Sequence, residues 1–421
     1  MDKAKLIKIL EPFEKRHDLK DAVIRFRLNP VSAEKNIDQI LDKYYATANE
    51  EIFSLISESK FSEKAWVKIQ TGGGPFPTKT EIFPLSKAFI DHVILYESAL
   101  NSVEKLVQAL EREMDDKFTN FIFSGLKLSR KITLEKGWKI VPYTKMSLVE
   151  KCLVQDLFEN LRLRGIFSSK AVDISEFGFC SLSLERKNQK LFIKKDAGLE
   201  GKFGFKDETL PIGFIHLLNA LNDSPVILHW LSSRFSEDNP FYLISSFNRG
   251  FLNDFKPFHS IKRIYEYAPE EFKQKFLMFS KLSKKNQRAL GLISKRLLHS
   301  FSRRYLEDRI LELGIALEML LLNDLDHQEL RYRLSQRGAW ILSPLDFDER
   351  KQTEANLKTF YDFRSKVVHT GEIPSKDYNE AFRVLDAAST MCTILILKIL
   401  EQGKFPSAQD WSEITLGKKL T

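Results

Sequence analysis

The sequence predicts a predominantly helical protein, in which a mixed α+β N-terminal region is followed by an all-α C-terminal helical bundle. Two patterns predict this division. Before about residue 280, several short stretches alternate apolar and polar residues, as half-buried strands do. From residue 281 onward, apolar residues recur every three or four positions, as on one face of an amphipathic helix. With 421 residues, of which 43% are hydrophobic, the chain is long enough for two or three packed domains.

The N-terminal region divides into two predicted parts, 1–145 and 146–280. In the first part, strands are expected at 22–28 and 65–70, and helices at 33–58 and 84–114. In the second part, a helix is expected at 147–163, a β-hairpin from strands at 178–184 and 189–195, and a further strand at 241–246. No motif in either part identifies an active site, so a sensory or regulatory role for this region is a hypothesis.

The C-terminal bundle is predicted to span 281–403 and to be followed by a tail at 404–421. Its helices are expected at 284–299, 305–323, 328–342, 348–369 and 377–400. The fifth of these helices is apolar nearly all round. Such a helix is expected either at the centre of a bundle or at a subunit interface.

Composition indicates a cytoplasmic protein without a membrane span or a metal site. The three cysteines are far apart and form no CxxC pair, which argues against a disulfide framework or a zinc finger. The histidines show no metal-binding spacing, and no cofactor is expected. The N-terminus is charged throughout, and no apolar stretch reaches the length of a membrane span. The net charge of +8 is compatible with a polyanionic partner such as RNA.

The fourth helix carries an arginine in an apolar position. Arg364 projects onto the stripe formed by Leu357, Phe360, Tyr361, Val367 and Val368. A guanidinium at this position needs an anionic partner or an opening to solvent, because burying it unpaired costs several kcal/mol. His369 follows in the last turn, where the helix C-terminus favours the imidazolium and the nearby arginine opposes it.

An arginine and a histidine without carboxylates or metal ligands are suited to RNA cleavage. The 2′-hydroxyl is an internal nucleophile, so the protein has only to move protons and stabilise the charged phosphorane. His369 is the candidate acid and base, and Arg364 is the candidate phosphate ligand. On spacing alone the alternative is structural, with Arg364 in an interhelical salt bridge and His369 capping the helix.

The surrounding residues favour the first interpretation. The run from Tyr361 to Gly371, YDFRSKVVHTG, resembles the signature of the HEPN superfamily, in particular its Apea-like branch. The flanking segments Glu307–Arg309, Ala316–Leu321 and Arg331–Ala339 also resemble that branch, and the resemblance covers about residues 284–402. The chain departs from the family at Thr370, where glycine is more usual, so that its turn comes one residue later.

The resemblance implies a helical bundle that dimerises, so that two arginine–histidine motifs face one cleft. Many members of this superfamily are metal-independent endoribonucleases that act as toxins, abortive-infection effectors or antiviral nucleases. Other members bind nucleotides without cleaving RNA. The intact Arg364 and His369 favour the cleaving kind, and a non-catalytic nucleic-acid- or nucleotide-binding dimerisation module is the alternative.

Other polar residues are candidates for the same surface. Arg288, Lys295, His299 and Arg303 project opposite Leu290, Ile293, Leu297 and Phe301, and form either an RNA-binding face or a solvated basic face. Arg337 points inward, where it either pairs with an acidic residue or adds a second cation to the cleft. Asp362 and Ser365 flank Arg364 and either orient it or are ordinary exposed residues.

Overall fold

The computed structural model divides the chain into two compact units. The first comprises Met1–Gly204 and His229–Leu252, and the second comprises Phe205–Leu228 and Asn253–Thr421. The described residues are 1–20, 23, 35–61, 66–68, 82–112, 114–147, 150–151, 154–155, 158, 174, 178–190, 209–221, 226–235, 247–250, 265–266, 268–322 and 329–416. Residues 205–228, which the sequence pattern grouped with the middle region, belong to the same unit as the C-terminal helices.

The first unit contains a helical layer with a continuous apolar core. Its helices are α1 (Lys3–Leu10), α2 (Lys35–Ser57), α3 (Leu85–Tyr96) and α4 (Ala99–Glu111). The helix predicted at 33–58 is confirmed by α2. The single helix predicted at 84–114 is wrong, because the chain breaks at Glu97, whose φ is +57°, and the Ser98 side chain caps α4. Helical periodicity continues across the break because both helices bury apolar faces in the same core.

The first unit also contains a six-stranded sheet among its described residues, in which the pairings with known register are antiparallel. The strands of this unit are β1 (Trp66–Lys68), β2 (Ile82–Pro84), β3 (Met114–Ser124), β4 (Leu126–Lys127), β5 (Ile132–Thr133), β6 (Trp138–Pro142), β7 (Cys180–Lys190), β8 (Ile227–Phe235) and β9 (Phe247–Gly250). The first two residues of β8, Ile227 and Leu228, are assigned to the second unit. The sheet order is β5-β6-β7-β3-β8-β9, and β1 pairs with β2 separately. The strand predicted at 65–70 is confirmed by β1.

The hairpin predicted within 178–195 is wrong. Cys180–Lys190 is one continuous strand, β7, which lies between β3 and β6. The polar residues near Asn188 had indicated a turn, but the backbone there stays paired with the first residues of β3 and includes a bulge. Such pairing is a tertiary property that local composition does not reveal.

The second unit is helical. It contains α5 (Thr209–Leu221), α6 (Pro269–Lys281), α7 (Lys284–Ser302), α8 (Leu306–Leu321), α9 (Leu330–Leu342), α10 (Phe347–Thr370), α11 (Tyr378–Gln402) and α12 (Ala408–Thr415), with a short strand β10 (Tyr265–Glu266). The five helices predicted in 281–403 correspond to α7–α11 and are confirmed. In the predicted tail, α12 forms because Ser407 and Asp410 make a capping box.

Helix α11 lies at the centre of the second unit. It packs against α5 and against each helix from α6 to α10. Leu385, Cys392, Leu395 and Ile396 on it are almost completely buried. This confirms the central position, one of the two predicted for an apolar helix. Ile394 on the same helix keeps 40% of its surface exposed.

Several sequence predictions fall wholly or partly on undescribed residues. The predicted strand at 241–246 lies outside the described residues. So does the strand at 22–28, except for Val23, which is helical and buried. Of the helix predicted at 147–163, the described residues from 150 to 158 are helical. Across the described part of the chain, no helix is both long and apolar enough to cross a membrane.

Candidate functional site

The end of α10 places His369 in its last turn. Asp346 caps the start of the helix by accepting a hydrogen bond of 2.9 Å from the Glu349 amide. At the other end, Gly371 adopts a φ of +78°, which ends the helix one residue after Thr370. The Thr370 hydroxyl donates to the Lys366 carbonyl at 2.8 Å, so this residue extends the helix. His369 is therefore helical and exposed to solvent.

Arg364 occupies a half-buried seat against α8. Its Nη2 lies 2.9 Å from Oε1 and 3.2 Å from Oε2 of Glu318. A Cβ at Gly314 would come within 2.8 Å of the Arg364 Cγ, so only glycine leaves room for the arginine stem. The guanidinium carbon lies 5.5 Å from the centre of the Tyr361 ring. Among the described residues, Nε and Nη1 of Arg364 have no hydrogen-bond partner.

At Glu318, burial affects the pKa of the carboxyl group more strongly than the ion pair with Arg364 does. Burial raises the pKa of Glu318 above its usual value, although Arg364 opposes the shift. Burial also raises the pKa of Tyr361, with a contribution from Glu318. The anionic partner that the sequence required for Arg364 is therefore Glu318. Together with Gly314 it is a residue that the sequence interpretation missed.

Arg364 and His369 point to different sides of α10. At about 100° per residue, a separation of five positions turns the side chains about 140° apart. Asp362, Ser365 and His369 instead follow the spacing of one helix face. Asp362 forms two bonds of 2.6 Å with Arg331 of α9 rather than with Arg364. Ser365 makes no side-chain hydrogen bond within the described residues. One copy of the chain therefore does not direct both candidate catalytic side chains towards one point.

Arg337 is buried, with 6% of its surface exposed. Its Nη1 donates to the Leu321 carbonyl at 2.7 Å, at the C-terminus of α8. Its guanidinium lies 4.7 Å from the centre of the Trp411 ring of α12. The inward orientation predicted for Arg337 is confirmed, and these contacts join α8, α9 and α12.

The predicted basic face on α7 is partly neutralised by a carboxylate. Glu312 of α8 lies 2.9 Å from Arg303 Nη2 and 2.9 Å from Arg296 Nη1, and its Oε1 lies 3.5 Å from His299 Nδ1. Burial and the neighbouring cations together lower the pKa of His299, against the effect of Glu312. Lys295 is half-buried beside His299, whereas Arg288 is fully exposed.

The hydrophobic side of α7 was predicted correctly except at its end. Leu290, Ile293 and Leu297 are completely buried, but Phe301 keeps 43% of its surface exposed. The apolar stripe of α8 does not reveal Glu312, because Glu312 and Glu318 lie about 120° to either side of it, where they face other helices. The available signal was that Glu312 and Glu318 are the two charged residues in the otherwise uncharged run 310–321.

The first unit contains two serine–histidine contacts that resemble catalytic pairs. Ser102 Oγ lies 2.7 Å from His92 Nδ1, and Ser124 Oγ lies 2.7 Å from His229 Nε2. All four side chains are buried. Burial lowers the pKa of each histidine to about 3, so both are neutral at physiological pH. These pairs therefore satisfy buried polar groups in the core.

No metal-binding cluster of three or more His, Cys, Asp or Glu side chains occurs among the described residues. Cys180 and Cys392 are buried free thiols, and burial raises the pKa of both. The chain matches no protein-family model, no curated protein and no solved structure. The site has therefore to be interpreted from its own geometry and from the resemblance of residues 361–371.

Proposed function

We propose that the C-terminal unit is a HEPN-type, metal-independent endoribonuclease that cleaves RNA through attack of the 2′-hydroxyl. In this proposal the protein acts in the bacterial cytoplasm as a toxin or antiviral effector, and the first unit senses a trigger or restrains the nuclease. The observation that carries the proposal is the environment of Arg364: the half-buried Glu318 binds it and Gly314 leaves room for it, on the helix whose last turn contains His369.

The free donors of Arg364 support its role as a phosphate ligand. Glu318 engages Nη2 and leaves Nη1 without a protein partner among the described residues. An RNA phosphate at Nη1 adds the second anion that a guanidinium accommodates through its fork of donors. The half-buried position and the bond to Glu318 also fix the guanidinium, so that little reorganisation is needed when charge develops on the phosphorane.

The reaction requires two proton transfers. The 2′-oxygen forms a bond to phosphorus and loses its proton, while the bond from phosphorus to the 5′-oxygen breaks and that oxygen gains a proton. The products are a 2′,3′-cyclic phosphate and a 5′-hydroxyl. His369 is exposed in the last turn of α10 and is accessible to RNA as one of the proton carriers.

Dimerisation is part of the proposal, because Arg364 and His369 point to different sides of α10. A homodimer through the second unit, as the resemblance implies, brings a second copy of each side chain to a shared cleft. The second histidine then provides the other proton carrier. Of the basic candidates on α7, Arg288, Lys295 and Arg303 extend the proposed RNA-binding surface, whereas the ring nitrogens of His299 are buried.

The test compares RNA cleavage by the purified wild type with that of Arg364→Ala and His369→Ala in the presence of EDTA. We expect EDTA-resistant cleavage that leaves 2′,3′-cyclic phosphate ends and falls at least about a hundredfold in both variants. Arg383→Ala and His17→Ala replace an exposed arginine of α11 and an exposed histidine of the first unit, and serve as matched controls. Equal cleavage by His369→Ala and the wild type would exclude this mechanism.

A non-catalytic nucleic-acid- or nucleotide-binding dimerisation module is the second candidate. It is favoured by one observation, the different directions of Arg364 and His369 within one copy. In that case RNA binds without being cleaved, and His369→Ala leaves its affinity unchanged. A nuclease that requires a trigger would also show no cleavage in vitro. Expression in cells distinguishes the two cases, because a triggered nuclease inhibits growth and His369→Ala relieves that inhibition.

A further inference from the structure

Three large aromatic side chains are exposed where α7, α8 and α11 meet. Phe301 lies at the end of α7, Tyr305 precedes α8, and Phe382 lies in the second turn of α11. They keep 43%, 60% and 50% of their surfaces exposed. Aromatic rings so exposed lose the stabilisation that burial provides, so a group of them indicates a surface with a ligand.

Two of these rings each lie close to an arginine. The guanidinium carbon of Arg304 lies 5.7 Å from the centre of the Tyr305 ring. That of Arg309 lies 5.3 Å from the centre of the Phe382 ring, and its Nε donates to the Ser300 carbonyl at 2.8 Å. Arg309 is one helical turn after Tyr305, whose carbonyl accepts its amide. These contacts link the end of α7, the start of α8 and the second turn of α11, and we call Phe301, Arg304, Tyr305, Arg309 and Phe382 together the stacking platform.

The charge around the stacking platform is mainly positive on the α7 side. Residues 281–304 contain eight lysines and arginines and no acidic residue. Glu312, the carboxylate that faces them, is shared by Arg296 and Arg303. Arg304 forms no ion pair within the described part of the chain. On the α8 and α11 side the platform is bounded by Glu307, Asp308 and Asp386, so an anionic group is favoured at the α7 end, near Arg304.

We infer that the stacking platform binds unpaired nucleotides of single-stranded RNA, with the bases on the aromatic rings and a phosphate at Arg304. This rests on the proposed action on RNA and specifies its substrate class. Exposed aromatic rings next to arginines bind every base through its π-face.

The same features disfavour two other occupants. The bases of an A-form duplex are stacked on each other, so duplex RNA offers no free base faces to Tyr305 or Phe301. A second copy of this chain would place Arg304 and its neighbours opposite the same arginines, because a two-fold contact joins identical patches. Both occupants remain distinguishable outcomes of the test.

The test measures binding by fluorescence anisotropy, with full-length protein and 2′-O-methyl RNA oligonucleotides that cannot be cleaved. We expect Tyr305→Ala and Phe301→Ala each to weaken binding of a single strand about tenfold, with Tyr305→Trp restoring it. Arg304→Ala should reduce the slope of log affinity against log salt by about one, whereas Tyr305→Ala should leave that slope unchanged. Tyr332→Ala, which removes an exposed tyrosine of α9 outside the platform, is the matched control.

Several results would overturn the inference. One is that the wild type does not bind the single strand, or that Tyr305→Ala binds it with wild-type affinity. Another is that the substitutions weaken the binding of duplex RNA as much as that of the single strand. A third is that they change the oligomeric state on sedimentation but leave the RNA affinity unchanged. Failure of the nuclease proposal is separate, because it appears as uncleaved unmodified RNA while binding to the modified oligonucleotide persists. If unmodified RNA is cleaved equally well by the wild type and by Tyr305→Ala, the nuclease proposal stands and the inference about the stacking platform fails.

Discussion

Two glutamates on α8 hold cations in opposite ways. Glu312 binds Arg296 and Arg303, both at 2.9 Å, and lies 3.5 Å from His299. Glu318 binds Arg364 alone. Burial raises the pKa of Glu312, but the hydrogen bonds and charges of its two arginines outweigh burial and the net pKa is lowered. At Glu318 burial outweighs the single arginine, and the pKa is raised.

Glu312 is a carboxylate whose charge is balanced by two arginines, whereas Glu318 has a single arginine, which can also bind a second anion. Glu312 neutralises part of the α7 face and joins α7 to α8. Glu318 leaves Arg364 with unused donors and is itself incompletely compensated, which is expected where a further anion has to be bound. A residue in the first arrangement is expected to contribute mainly to stability. One in the second arrangement is expected to contribute mainly to binding and catalysis.

The largest effect on stability is expected from Glu312→Ala. Removing this carboxylate leaves Arg296, Arg303 and His299 close together without their shared anion. We expect the free energy of unfolding to fall by about 3 kcal/mol, since both arginines are partly exposed and can turn towards water. Urea denaturation measures this, with Glu307→Ala in the first turn of α8 as the control. Equal midpoints for the two variants would show that the cluster around Glu312 is not a stabilising one.

The second effect concerns the contact of Gly314 with Arg364. Alanine improves helix propensity by about 1 kcal/mol, but its Cβ would lie 2.8 Å from the Arg364 Cγ. We therefore expect Gly314→Ala to destabilise the wild type by about 1 kcal/mol and to stabilise Arg364→Ala by about the same amount. A double-mutant cycle then gives a coupling of about 2 kcal/mol. Additive effects would mean that the arginine stem does not pack on Gly314 in solution.

The third effect is a pH dependence of opposite sign for the two glutamates. The folded pKa of Glu312 is below the ordinary 4.5, so its stabilisation is present above pH 4.5 and is lost as the pH falls through the folded value. The folded pKa of Glu318 is above 4.5, so its contribution is complete below pH 4.5 and is lost as the pH rises through the folded value.

Stability measured from pH 3 to 7 distinguishes these cases. Glu312→Gln should lose less stability on acidification than the wild type does. Glu318→Gln should lack the small decline that the wild type shows as the pH rises above 4.5. Each group changes the slope by at most about 1.4 kcal/mol per pH unit. Slope changes of the same sign in both variants would contradict the comparison.

The smallest effect is expected from Asp362→Ala. Its two bonds of 2.6 Å with Arg331 lie on the surface, where the side chains keep 54% and 50% of their area exposed. Solvent screening limits such a pair, and we expect a change in unfolding free energy within about 0.5 kcal/mol. Thermal unfolding is a sufficient measurement. A loss above about 1 kcal/mol would place Asp362 in the same class as Glu312.

Local patterns predicted the helices of the second unit well. The apolar periodicity and the cap residues of α7–α11 are properties of adjacent residues, so these helices could be located without tertiary information. The break at Glu97 and the continuous strand β7 could not. In both cases the pattern is compatible with two structures, and packing against distant segments decides between them.

Within the candidate site, spacing along one chain segment is enough to place Arg364 among apolar residues and His369 in the last turn of the same helix. That Glu318 is the partner of Arg364, and that Gly314 makes room for it, depends on how α8 packs against α10. The packing of α8 against α7 likewise decides that Glu312 neutralises part of the α7 face. An ion pair between helices depends on how the helices pack, and packing minimises the free energy of the whole unit rather than of either helix.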